Sequence, residues 1–247
     1  MKFRPTRTFL ALSCVALFAA PAASAATYNV IHGTASSDDD FYGGYGLVGT
    51  DDPDKILGYQ GNDQIEGYNG GDRLYGHAGS DSIDGGAGSD RLWGGSGSDH
   101  MMGATEDDLM YGGSGSDILI GEGGDDGLKG DAGADDIYGG HGNDRLYGGT
   151  GNDSLIGAPG HDRIAGGSGN DTVYGDGGRD LVKAGSGNDE VFTGGRDGES
   201  DIVNCGSGND KVWAWDHAGV KDRIRGNCET VKWNETPPKP PSTVIDE

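Results

Sequence analysis

Basic residues, apolar residues and cysteines are all scarce in this chain, and each shortage excludes something. Only 18 Lys and Arg stand against 41 Asp and Glu in 247 residues. A nucleic-acid partner, which needs a cationic surface, is excluded by sign. Hydrophobic residues make up 33%, and the net charge is -23. That is the composition of a disordered chain, with too little apolar surface to offset conformational entropy. There is no G-x-S-x-G elbow, no H-E-x-x-H and no Cys/His pair, so no catalytic residue is expected and the chain is read as a non-enzyme. The six histidines (His32, His77, His100, His141, His161, His217) have no zinc-type spacing. Beyond the N-terminal segment no apolar run could cross a bilayer, so the mature chain is expected to have no membrane span. Glycine, by contrast, is abundant at 51 residues, and it loses the most backbone freedom on folding. A rigid fold therefore needs an outside source of free energy. Divalent cations are the natural candidate for so acidic a chain.

The residues that are present are arranged with a strict period. Residues 139–174 read GGHGNDRLY GGTGNDSLI GAPGHDRIA GGSGNDTVY, four nine-residue units in register. Each has glycine at positions 1 and 4, aspartate at position 6 and an aliphatic residue at position 8. From Gly49 the aspartate recurs sixteen times without a slip, from Asp54 to Asp189. Position 8 is apolar every time: Ile56, Ile65, Leu74, Ile83, Leu92, Met101, Met110, Leu119, Leu128, Ile137, Leu146, Leu155, Ile164, Val173, Val182 and Val191. A period of nine fits no helical repeat, and glycine every four or five residues forbids long helices. It fits a six-residue turn and a three-residue strand whose middle residue points inward.

These units resemble the RTX, or hemolysin-type, calcium-binding nonapeptide repeat, and the likeness covers roughly Gly49 to Val231. The resemblance implies an all-β, right-handed parallel β-roll (a β-solenoid) with two units per coil. Sixteen units give about eight regular coils plus caps, stacked at ~4.8 Å. It also implies multiple Ca2+ ions. Calcium takes six to eight oxygen ligands, more than one loop supplies, so each ion is expected between neighbouring coils. The expected ligands are Asp63, Asp72, Asp81, Asp90, Asp99, Asp117, Asp126, Asp135, Asp144, Asp153, Asp162, Asp171, Asp180, Asp189 and Asp210. Carboxylates about 5 Å apart repel by about 3 kcal/mol per neighbour pair at an effective dielectric near 20, so binding and folding should be coupled. One series of loops, through Asp63 and Asp81 to Asp189, keeps glycine at position 4 throughout. The other has Asp52 and Glu106 there, so its ion row is expected to break near Asp54 and Asp108.

The remainder of the chain sets the boundaries. Residues 1–25 read as a signal peptide: Lys2, Arg4 and Arg7, then the apolar run from Phe9, then Ala23-Ser24-Ala25. Residues 26–48 are expected to cap the first coil, 49–192 to form the regular roll and 193–233 to hold degenerate repeats and the C-terminal cap, because Asp201 and Asp222 each follow a step of twelve. Residues 234–247 are a Pro-rich tail. Cys205 and Cys228 fall on one side of adjacent coils and are expected to form a disulfide in an exported protein. Position 9 should face outward, with Tyr75, Trp93, Tyr111 and Tyr147 on one face and Met102, Ile120, Tyr138, Ile156, Tyr174 and Phe192 on the other. The reading is a secreted, extracellular, non-catalytic calcium-binding protein. The alternatives are a calcium-dependent adhesin, matrix or self-assembling surface protein, with cell-surface polysaccharide or a second copy as partner, and more weakly an ice-binding β-solenoid.

Overall fold

The computed structural model describes residues 28–33, 46–194, 198–217, 220–226 and 228–233. The expected leader, part of the N-terminal cap and the Pro-rich tail lie outside them. Each unit contributes one strand, and successive strands go alternately to two sheets of eleven strands each. All pairings within these sheets are parallel and in register at one coil, as in Leu146 with Ile164 and Ile164 with Val182. The first sheet runs from Asn29–His32 and Asp54–Gln60 to Ile202–Ser207 and Arg223–Arg225; the second runs from Leu47–Val48 and Gln64–Glu66 to Lys211–Ala214 and Thr230–Trp233. No described residue is helical. The chain is a parallel β-roll.

The inside of the roll follows from alternation along the strand. In Arg145–Thr150, Leu146 and Gly148 are buried while Arg145 and Tyr147 are exposed. Positions 6, 8 and 1 therefore point inward as Asp, aliphatic and Gly. The position-8 residues from Ile56 to Val191 are all at most 2% exposed and, with Val203 and Val212, form one continuous core. Each stabilises by about 1.5–3 kcal/mol, less than the backbone entropy of the nine residues it must hold. The core alone does not fold the roll.

Two expectations need correction. Most strands span six residues rather than three, because positions 1 to 3 go on pairing with the neighbouring coil although position 2 takes a positive φ, as at Gly149 (119°) and His77 (74°). Only a few, such as Ser154–Ile156 and Thr172–Tyr174, stop after three. Position 9 is also not uniformly solvent-facing. Ile120, Tyr174 and Phe192 are at most 8% exposed, as is Trp213 one coil further on. Tyr174, Phe192 and Trp213 stack ring on ring at 4.6 and 4.5 Å, which removes their faces from water. The steps of twelve are absorbed in loops, so that pairing resumes after 21 residues instead of 18, as in Leu181 with Ile202 and Ile202 with Arg223. Cys205 and Cys228 are bonded across the last coils with their Cα atoms 5.5 Å apart.

Candidate metal centre

The position-6 aspartates build two ladders up the inside corners of the roll. One runs Asp54, Asp72, Asp90, Asp108, Asp126, Asp144, Asp162, Asp180, Asp201, Asp222. In it, each backbone N–H donates to Oδ1 of the aspartate one coil on, at 2.7–3.0 Å. The other runs Asp63, Asp81, Asp99, Asp117, Asp135, Asp153, Asp171, Asp189, Asp210 and is bonded the same way at 2.8–3.0 Å. All these side chains are at most 7% exposed. The fifteen expected ligands thus all lie on the two ladders, and each pair eighteen residues apart is in contact.

The second carboxylate oxygen carries the chemistry. In Asp72, Asp81, Asp90, Asp99, Asp108, Asp117, Asp126, Asp135, Asp144, Asp153, Asp162 and Asp171, Oδ2 is buried and has no hydrogen-bond donor. A buried anionic oxygen without a partner costs several kcal/mol unless a cation or a proton neutralises it. Oδ2 lies over the position-1 glycine of its own unit. A Cβ at Gly157 would come within 2.5 Å of Asp162 Oδ2 and 2.9 Å of the Gly175 carbonyl oxygen; at Gly58 the corresponding distances to Asp63 Oδ2 and the Gly76 carbonyl are 2.5 and 2.8 Å. Glycine stands at position 1 because the carboxylate and a carbonyl from the next coil already fill that space.

The electrostatics agree. Burial pushes the Asp108 carboxyl up to about 8, helped by the charges of Asp90, Asp126 and Glu106 and opposed by the Asp90 N–H. Burial likewise raises Asp90, Asp99, Asp126 and Asp162 to about 7. Asp72, Asp135, Asp144, Asp153 and Asp171 rise to about 6. Near neutral pH these groups either keep protons or need a cation. The donor set is hard oxygen, carboxylate and backbone carbonyl, which suits calcium. Among the described residues no three His, Cys, Asp or Glu side chains converge on one point, so a bound ion would draw the rest of its shell from the backbone.

The carboxylate row itself runs unbroken through Asp108, where the ion row is expected to break. Glu106 takes a left-handed backbone (φ 71°) and turns its side chain away, where Oε2 accepts from Gly88 N at 2.9 Å. Asp108 keeps the ladder geometry. Asp54 does differ, since its Oδ2 accepts from Thr50 N at 2.6 Å and Thr50 Oγ1 at 2.9 Å. The far end of the first ladder is closed by protein, whereas Asp210, last in the second, keeps a bare Oδ2. Asp222 Oδ2 accepts from Thr193 Oγ1 at 2.6 Å and Trp215 N at 3.0 Å, and Glu229 Oε2 accepts from Asp210 N at 2.5 Å. Sequence reasoning left Asp54, Asp108, Asp201, Asp222 and Glu229 out of the site. Asp201 and Asp222 could have been found by treating the twelve-residue steps as units. It also missed an outer ladder at position 5, where side chains such as Asn152 accept from the backbone N–H one coil on (Asn170 N, 2.7 Å). The run of Asn, Ser and Asp at that position was the available signal.

The family model for the RTX calcium-binding nonapeptide repeat, which spans four copies, matches residues 47–73, 66–101, 93–128, 123–155 and 156–191. No curated protein matches the chain.

Proposed function

The chain belongs to the RTX calcium-binding nonapeptide-repeat family, and we propose that it is an exported protein whose roll winds as calcium enters the two aspartate ladders. The observation that carries this reading is the repeated buried Oδ2 with no donor, one in nearly every unit. The residues that would hold the ions are the position-6 aspartates of successive coils, with position-1 carbonyls beside them. Calcium would neutralise the facing oxygens, so that binding free energy becomes folding free energy. The Cys205–Cys228 bond and the N-terminal leader pattern support export to an oxidising compartment. Structure would then be the purpose of the calcium, with no catalysis attached.

Polysaccharide recognition by the outer aromatic ladder has less support. Tyr75, Trp93 and Tyr111 stack on one another at 4.4 and 5.9 Å with interplanar angles of 3° and 7°. Their faces are occupied by each other, leaving only edges for a sugar ring. Far-ultraviolet circular dichroism during a calcium titration tests the main reading. A β spectrum should grow with millimolar calcium and collapse with chelator; a spectrum indifferent to both would sink it.

A further inference from the structure

The two sheets carry opposite charge on their outer faces. Positions 7 and 9 point outward. On the first sheet position 7 supplies Lys55, Arg73, Arg91, Arg145, Arg163 and Arg223, and neither position holds an Asp or Glu from Lys55 to Arg225. The second sheet has Glu66, Asp84, Asp136 and Glu190 at those positions, and no Lys or Arg before Lys211. Like charges lie opposite one another in register: Arg73 with Arg91 and Arg145 with Arg163 on one face, Glu66 with Asp84 on the other. Such pairs destabilise the sheet that carries them. Among the described residues the ion pairs are Lys129–Asp131 and Lys211–Glu190, so none of these six is bonded to an opposite charge.

We propose that a second copy of the chain supplies the missing charge, and that calcium-loaded rolls stack first sheet on second sheet. The step rests on the calcium reading, because the two ladders hold 19 (10 + 9) of the chain's 41 acids, and copies with those charges bare repel each other. A copy displaced straight across the sheets, with its coils level, brings complementary groups together. Lys55 and Arg73 lie in the same coils as Glu66 and Asp84, and Lys129 in the coil of Asp136. Between them Leu109, 38% exposed, shares its coil with Ile118, 40% exposed, so an apolar middle meets an apolar middle. Eleven strands at ~4.8 Å spacing, each of six residues at ~3.3 Å, give a face of about 48 by 20 Å, enough for the ~800 Å² per partner of a stable interface. Because unlike faces meet, each pair leaves one face of each kind open, and stacking does not close at two copies.

Sedimentation velocity of the full chain in millimolar calcium tests this. The weight-average mass should rise with protein concentration at low salt and return to that of one copy in about 1 M NaCl, where the screening length is ~3 Å. Charge reversal then assigns the faces. Arg73→Glu with Arg91→Glu, and Glu66→Lys with Asp84→Lys, should each remain a single copy alone, whereas an equimolar mixture of the two should associate. Circular dichroism in calcium separates loss of folding from loss of stacking. The milder pair Arg73→Gln with Arg91→Gln should weaken association by about 10-fold or more with the β spectrum unchanged. A single copy at every concentration, with a β spectrum in calcium, overturns the proposal and leaves the calcium reading intact. Association that survives either charge reversal alone, or a mixture that stays dissociated, overturns it as well. No β spectrum in calcium overturns the calcium reading, and the proposal with it.

Discussion

Asp162, in the body of the first ladder, and Asp222, at its end, hold the same place in the repeat. Both receive an N–H from the preceding coil on Oδ1, at 2.8 Å from Asp144 and 3.0 Å from Asp201. They differ at Oδ2. In Asp222 a hydroxyl and an N–H serve it; in Asp162 nothing does, and burial pushes the carboxyl up to about 7. One neighbour, Thr193, makes much of the difference, and it stands at position 1, where the body has glycine. The same backbone therefore makes a self-sufficient turn or a cation-dependent one, according to whether a donor or an empty space lies beside the carboxylate.

The largest effect that sharpens this contrast is pH. The carboxyls of Asp72, Asp90, Asp99, Asp108, Asp126, Asp135, Asp144, Asp153, Asp162 and Asp171 hold their protons up to about 6 to 8 when folded, against 3.8 ordinarily. Below about 3.8 both states are protonated, so the calcium-free roll keeps its full share of stability there. As pH rises toward 8 the unfolded chain gives up protons first, and each carboxyl that stays protonated only in the fold removes about 1.4 kcal/mol per pH unit. Calcium-free protein should therefore show more β structure at pH 5 than at pH 8 by circular dichroism. Calcium affinity should run the other way, strengthening with pH over the same window, because protons and calcium compete for Oδ2. A calcium-free spectrum that improves with rising pH would contradict the bare-oxygen account.

Next in size is Asp222→Ala. It removes the acceptor of the Trp215 and Asp201 N–H groups and leaves the Thr193 hydroxyl only the Trp213 carbonyl, at 3.3 Å, which costs about 2–4 kcal/mol. The loss should appear equally with and without calcium in denaturant melts. A loss confined to the calcium-loaded protein would show that Asp222 is a ligand after all.

Asp162→Asn should give a smaller effect whose sign depends on the ion. The amide oxygen can still accept from Asp144 N, so the ladder is kept. With calcium, stability should fall by about 1–3 kcal/mol, as a charged ligand is lost; without calcium it should rise, because a buried charge has been removed. Paired melts of the loaded and chelated protein check both signs. The same fall in both conditions would remove the distinction between body and end.

Much of this was legible because it recurs. Sixteen registered copies of Asp at position 6 and an apolar residue at position 8 fix the coil length and the inward residue, and Leu146 and Ile164 stack accordingly. What occurs once was not legible. Thr50, Thr193 and Glu229 look like ordinary polar loop residues, and only their distances to Asp54, Asp222 and Asp210 N give them a role. The burial of Tyr174 and Phe192 depends on stacking with Trp213 across an insertion, which period counting cannot see. Glu106 shows what a motif departure can and cannot say: a Cβ at most position-4 glycines would run into a carbonyl of the preceding coil, at 1.5 Å for Gly88 and 1.4 Å for Gly133, yet at Glu106 the side chain turns outward and the carboxylate ladder continues through Asp108.

That last point gives the smallest prediction. Glu106 departs from the repeat inside the body, yet its side chain reaches outward to Gly88 N and Thr105 Oγ1. Glu106→Gly restores the motif and removes two exposed hydrogen bonds. It also relieves a non-glycine residue of φ 71°. These terms nearly offset, so the change in stability should stay within about 0.5 kcal/mol. The number of ions bound should not change, since Asp108 Oδ2 is already bare and Gly103 already stands at its position 1. A gain of an ion on restoring glycine, read by equilibrium dialysis, would mean that position 4 selects the coils that bind.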